Sequence, residues 1–456
     1  MSTNSKPTFE LRRELGAAAA TAVVVGTIIG SGIFRVPSTM MAAAGSSTMV
    51  YAAWIVGGLL SFFGALTYAE LGAMRPEAGG EYVYIRDAYG KLPAFLYGWT
   101  WFAIAKPASI ATVTTGLTDA LSALKMFSFL ADPVFGGLAK FTWAQVVAII
   151  ATLLISYLNF IGIKKAGLFQ LIFTILKCGM LIAIAAIGFA YANGTFANFS
   201  THTAHHGSGF MIALVAALWA YDGWNDLSMV GGEVKDPQKN IPLALILGVG
   251  ICGALYMLMN AAVQFVMTAQ QIADVKSPAA EMIRIVLGPN GAAIITAGIA
   301  LSLLVTLNGT IMSGSRIPFA LAKDRTFFPG LATVHPEYAT PANSIWIQAI
   351  CAIILLLVAA TFKELLEIAI FSEWLFYMIA ASTIFVFRIK EPQVIRPYKC
   401  FGYPVVPALF ILSASILLYQ TFMENVMNST VCCLIIAAGV PVYLWFTRNQ
   451  NQALTS

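Results

Sequence analysis

The sequence predicts an all-α polytopic membrane protein of about twelve transmembrane helices. Three observations predict it. Hydrophobic residues make up 59% of the 456-residue chain and charged residues 10%, where a soluble domain is about 25% charged. Mean hydropathy is +0.79. So few charges cannot cover a water-facing surface, which excludes a cytosolic enzyme, a disordered scaffold and a nucleic-acid binder. Apolar runs near the roughly 20 residues that cross a bilayer recur along the whole chain. Lysine and arginine collect on alternate connections between those runs.

In order, the runs are Ala17–Ala44, Ser47–Met74, Pro93–Leu124, Trp143–Leu158, Leu168–Tyr191, Phe210–Gly231, Pro242–Met267, Ala292–Ser313, Ser344–Thr361, Leu365–Phe387, Val406–Phe422 and Thr430–Phe446. The fourth is short, and the third needs tilt or an overhang. The run after Gly16 is too long for a cleavable signal peptide. With the N-terminus inside the cell, only Lys125, Lys140, Lys276, Arg284 and Lys363 of the 26 lysines and arginines fall outside. Arg35, Lys106 and Lys177 lie within runs, and the rest fall inside. That bias predicts both termini cytoplasmic, an even number of spans and a cell (plasma or inner) membrane.

The longest connections, Thr268–Gly291 and Gly314–Asn343, are too short for a soluble domain. Function must then lie within the membrane: transport, a channel, an intramembrane enzyme or a receptor. The sequence has no HExxH and no GxSxG, so no enzyme is predicted. Cys178, Cys252, Cys351, Cys400, Cys432 and Cys433 show no metal spacing and read as small packing residues. His202, His205, His206 and His335 fall in expected loops. No cofactor is predicted.

Two runs carry chemistry. The first contains Gly30, Ser31 and Gly32 at mid-span. Glycine costs about 1 kcal/mol in a helix interior. A break there would bare the amides of the following half-helix, which suits an anion. The spacing alone equally allows a close contact between small residues. The sixth run contains Trp219, Ala220, Tyr221, Asp222, Gly223, Trp224, Asn225 and Asp226. An ionisable residue at membrane depth points to function, although Asp226 also reads as the end of the span. Interrupted segments at matching places of two halves mark a transporter site. Residues 1–191 are then a first repeat of five helices and 192–388 an inverted second repeat. Residues 389–456 add helices eleven and twelve.

These residues resemble the amino acid–polyamine–organocation superfamily, and within it the L-type amino acid transporters. The resemblance runs over nearly the whole chain. It rests on Ile28 to Phe34, on Tyr68 to Gly72 followed by Gly79 to Tyr82, on Ala220 to Asn225, on Glu233 to Pro242, and on Asn308 to Arg316. It implies a leucine-transporter-like fold, with helices one and six unwound and the substrate between them. On that likeness the substrate carboxylate meets amides at Ser31 and Gly32, with Gly30 also in the substrate site. The ammonium meets carbonyls at Ile28, Trp219 and Asp222, with Ala220, Tyr221, Gly223 and Asn225 completing the unwound wall. Trp219 matches an aromatic gate, or packs as an ordinary core aromatic. Lys177, well inside the fifth run, stands in for the sodium of ion-coupled relatives, or else snorkels to an interface. Lys106, Phe371 and Trp374 are expected at the pocket or gate, although Lys106 before Pro107 fits a structural bend equally well.

Three departures bear on the transfer. Lys125–Thr142 holds no cysteine, so no disulfide-linked heavy chain is expected. Asp222 replaces a glycine common in animal relatives, which favours cationic ligands or a local pairing. Arg35 adds positive charge beside the first break. The missing cysteine and the short tails resemble bacterial members. The resemblance implies a sodium-independent exchanger of neutral, small to medium L-amino acids working by alternating access. The alternatives are a cationic amino acid or polyamine antiporter, or a proton-coupled symporter, on the same fold.

Overall fold

In the computed structural model, residues 10–134, 141–203, 209–358 and 362–455 are described. Among them the chain is helical, with isolated β-bridges and no strand. Ala17–Ile28 (α1) and Gly32–Ala44 (α2) are one run bent by 41° at residues 29–31. Gly45, at φ 71°, ends α2. Ser47–Met74 (α3) starts on a cap, the Ser46 side chain accepting from the Met49 amide at 3.4 Å. Glu81–Tyr89 (α4) is a short helix. Lys91–Thr100 (α5), a π-helical turn at Trp101–Ala105 and Lys106–Ser122 (α6) make the third span.

Trp143–Phe160 (α7) opens on a capping box between Thr142 and Gln145, which satisfies two amides that a helix start leaves bare. Ile163–Phe189 (α8) follows. Phe210–Ala220 (α9) and Asp226–Met229 (α10) flank a non-helical stretch at 221–225. Pro237–Val266 (α11) is continuous. The next connection holds Ala269–Ala273 (α12) and Pro278–Leu287 (α13). Pro289–Gly314 (α14) leads into Arg316–Lys323 (α15). Ala342–Val358 (α16), Phe362–Lys390 (α17), Val405–Glu424 (α18) and Val426–Thr455 (α19) complete the chain.

Each of the twelve runs therefore coincides with one helix or one broken pair. By length and composition eight of the described helices suffice alone to cross a bilayer, and nine if the bent α1–α2 pair counts as one span. The third, sixth and ninth runs fall short of that standard because they are interrupted or brief. The connections 268–291 and 314–343 hold short helices and no further domain.

Packing divides the helices into two sets. α1, α3, α9 and α11 pack together, with Trp54, Tyr221 and Tyr256 interlocked between them at ring separations of 5.1 to 5.8 Å. α6, α7, α14 and α16 form the other set, around Ile110, Leu117, Ile155, Leu303, Leu307 and Ile311. Outward faces stay apolar: Leu154, Ile172, Ile182, Leu412 and Leu434 are exposed, as lipid-facing side chains are.

On the side of the chain's N-terminus, charged pairs tie α15 to the connection before α11, and α3 to α17. Arg316 Nε and Nη2 donate to the Glu233 carboxylate at 2.7 and 2.8 Å, both side chains fully buried. The Glu233 carbonyl also accepts from the Glu14 and Leu15 amides at 2.9 Å. Glu70 receives Arg388 in two hydrogen bonds, at 2.9 and 2.6 Å.

Candidate functional site

A cavity of about 330 Å3 lies between the two sets, against both breaks. It is at the small end of the ~300–1,000 Å3 range of ligand sites. Ile28, Gly30, Ser31, Gly32, Trp219, Ala220, Asp222, Gly223 and Lys106 line it. The cavity runs from the first turn of α2, where Arg35 is exposed, to the last turn of α6, where Asp119 is exposed.

The breaks meet closely. A Cβ on Gly32 would stand 3.4 Å from the Ala220 backbone, so the start of α2 abuts the end of α9. The first amides of α2 have no acceptor within their own helix, while at the end of α9 the Trp219 carbonyl accepts from the Asp222 amide at 3.2 Å and that of Ala220 from Tyr256. A positive and a negative helix end therefore face one small volume. Gly223 has φ 103°, which side chains rarely adopt, and a Cβ there would come within 3.1 Å of the Thr27 carbonyl carbon. Thr27 Oγ1 lies 2.8 Å from the Gly223 carbonyl oxygen. The Tyr256 hydroxyl reaches both broken spans, 3.1 Å from the Ile28 carbonyl and 2.8 Å from that of Ala220.

Lys177 is fully buried while its neighbours Ile175 and Leu176 are 64% and 52% exposed. The side chain points away from the lipid face. Its ammonium donates to the Gly26 carbonyl at 3.0 Å and to that of Ile29 at 2.5 Å. The Thr306 hydroxyl lies 3.1 and 3.3 Å from the same two oxygens, with one hydrogen for either, and Ser302 donates to Ile29 at 3.1 Å. A cation here meets the negative end of α1.

Lys106 pairs with Asp226 at 2.5 Å, both buried. Asp226 is thus part of the cavity wall rather than a solvated span end. Tyr221 turns away from the cavity into the Trp54–Tyr256 cluster. Asn225 also lies off the cavity: its Nδ2 donates to Glu81 at 2.7 Å and its Oδ1 accepts from the Tyr377 hydroxyl at 3.1 Å. Phe371 and Trp374, expected at the pocket or gate, do not line it. Phe371 packs on Phe422 and Trp374 on Tyr377 and Phe410. The α17 residues on the cavity are Ile370, Glu373 and Tyr377, a stripe two turns long, with Trp374 on its flank and Phe371 farther round.

The sequence reading missed Glu373, Tyr377, Ser109, Asp119 and Thr306. Glu373 carried a signal: a carboxylate inside the tenth apolar run meets the same criterion as Asp222. Asp119, in the third run, met it too, whereas Ser109 and Thr306 carried none, since threonine and serine are common in spanning helices. Among the described residues no group of three or more His, Cys, Asp or Glu could hold a metal. His202 bridges to Ser46 by its backbone, and His205 and His206 lie outside the described residues.

Two discontinuous spans meeting on one cavity define a multi-pass membrane transporter. The family model described as amino acid permease matches residues 15–446, and the chain belongs to that family. It is 36% identical to the serine/threonine exchanger SteT of Bacillus subtilis (strain 168), over 96% of this chain and 98% of that protein. It is 31% identical to the human b(0,+)-type amino acid transporter 1, over 97% of this chain and 90% of that protein. The Asc-type amino acid transporter 1 of Mus musculus is 27% identical over 97% and 83%. The protein is a membrane amino acid transporter and not an enzyme.

Proposed function

We propose that the protein exchanges neutral, small to medium L-amino acids across a cell membrane without sodium, by alternating access. The observation that carries this reading is the meeting of the α2 start and the α9 end on one small cavity. A zwitterion needs both poles close together and away from water. The amides of Ser31 and Gly32 hold the carboxylate. The carbonyls of Ile28, Trp219 and Asp222 hold the ammonium, and the Trp219 ring covers the ligand. Lys177 takes the place of a coupling cation, so one ligand drives the return of another. The names of the relatives, one a serine/threonine exchanger, support exchange of small substrates.

On this reading the N-terminal side, rich in lysine and arginine, is cytoplasmic, and the cavity mouth at Arg35 and Asp119 faces outward. The breaks fall in the first and sixth spans, which supports two inverted five-helix repeats over 1–191 and 192–388, followed by two added helices. The connection after α6 offers no cysteine, so the transporter works without a disulfide-linked heavy chain. Counterflow into proteoliposomes tests the mode. Uptake of labelled L-serine or L-alanine should rise many-fold when the vesicles are preloaded with unlabelled amino acid. Uptake indifferent to preloading overturns exchange.

A further inference from the structure

α8 turns one stripe of its surface toward α1. Gly167, Gln170, Thr174 and Lys177 recur at helical spacing and are buried, whereas Leu168, Ile172, Ile175 and Leu176 between them are exposed. A Cβ on Gly167 would stand 2.5 Å from the Leu15 side chain, so the stripe begins beside the start of α1. Gln170 Nε2 and Thr174 Oγ1 then donate to the Ala22 carbonyl at 3.3 and 3.2 Å. Lys177 takes those of Gly26 and Ile29. The two helices thus run side by side in matched register, donors on α8 against carbonyls on α1. A relay of amides aims Gln170. Asn159 Nδ2 on α7 donates to Asn308 Oδ1 on α14 at 2.9 Å, and Asn308 Nδ2 donates to Gln170 Oε1 at 2.7 Å. All three side chains are fully buried. With its oxygen taken from α14, Gln170 offers its nitrogen to α1. Gly26 lets it close in, since a Cβ there would lie 2.2 Å from that nitrogen.

The Ala22 carbonyl lies inside α1 and already accepts a bond from its own helix. The bonds from Gln170 and Thr174 are second bonds, which water replaces at small net cost. Elsewhere α1 is apolar where Val24 meets Gly248 of α11, and wetting such a contact costs in proportion to its whole area. We propose that Gln170 and Thr174 are positioning residues: they hold α1 against α8 and so keep the inner side of the cavity shut, and the seam they form parts and takes in water when the transporter turns over. Neither residue lines the cavity, so both act through α1 and not on the ligand. This inference rests on the alternating-access reading above and adds the face on which the turn takes place.

Deuterium uptake by the purified full-length protein, read peptide by peptide, tests it. Thr174→Val keeps the shape of the side chain and removes the donor, whereas Thr174→Ser keeps the donor and removes a methyl group. Gln170→Met keeps the length and removes both bonds, and Asn308 Nδ2 retains the Ala166 carbonyl at 3.2 Å. Without ligand, the Val and Met variants should take up deuterium in α1 at least about fivefold faster, the equivalent of one lost hydrogen bond. Uptake in α18 should not change, and Thr174→Ser should match the wild type. Saturating L-serine, which lets the wild type turn over, should speed α1 uptake as well. Unchanged α1 uptake in Val and Met, an equal rise in α18, or a larger effect of Ser than of Val would each overturn the positioning role. L-serine that binds yet leaves α1 protected overturns the parting of the seam. L-serine that does not bind overturns the exchange reading instead, while the ligand-free comparison still decides what holds α1. The two Thr174 variants decide it even if Gln170→Met does not fold.

Discussion

The Lys177 ammonium stands 2.5 Å from the carbonyl oxygen of Ile29, the residue at which the first helix stops. The same ammonium holds Gly26 one turn earlier. The charge sits on the frayed end of α1 and away from the cavity lining. It therefore acts on the shape of the break rather than on the ligand.

Lys177→Ala should impair turnover more than recognition. Exchange rates should fall at least about tenfold, equivalent to ~1.4 kcal/mol on the barrier. Ligand affinity measured by stabilisation should change much less. Initial rates in proteoliposomes beside binding isotherms separate the two, and normal exchange by the variant removes Lys177 from the mechanism.

The Lys106–Asp226 pair predicts a non-additive pair of substitutions. Lys106→Met leaves a buried carboxylate without its cation, and breaking such a pair costs about 3–5 kcal/mol. Lys106→Met combined with Asp226→Asn removes both charges and should recover most of that loss. Thermal unfolding of single and double variants in detergent gives the comparison. Equal losses in the two would show that the ion pair does not hold this wall.

Gly223→Ala should be costly where Gly250→Ala is harmless. Gly223 combines φ 103° with backbone of the opposite break at 3.1 Å, whereas nothing stands within 4 Å of a Cβ at Gly250. The first change adds about 1–3 kcal/mol of strain and pushes the two breaks apart, so both stability and exchange should drop. The second lies within α11 and should gain up to about 1 kcal/mol in helix preference. Unfolding midpoints and exchange rates of the two variants check this, and indifference at Gly223 would contradict the close meeting of the breaks.

How much could be read in advance varies with the kind of signal. Gly30–Gly32 and Asp222–Gly223 announced the breaks because glycine and charge are both unfavourable in a lipid-embedded helix. Lys177 was legible for the same reason. Glu373, a carboxylate inside an apolar run, marked the inward side of α17, whereas Phe371 and Trp374 came only from the resemblance. One residue of rotation, about 100°, separates Glu373 on the cavity from Trp374 packed behind it. Asn225 and Tyr221 are expected in the unwound wall only through the resemblance. The irregular backbone at 221–225 sends successive side chains in unrelated directions, and no periodicity describes it.

Tyr256 lies within hydrogen-bonding distance of Ile28 and of Ala220 at once, yet a phenol owns a single hydrogen. The two severed spirals compete for it. Whichever oxygen is passed over loses one donor, although that of Ile28 keeps the Gly30 amide at 2.9 Å. A small pivot of one ring thus shifts a bond from one rod to the other.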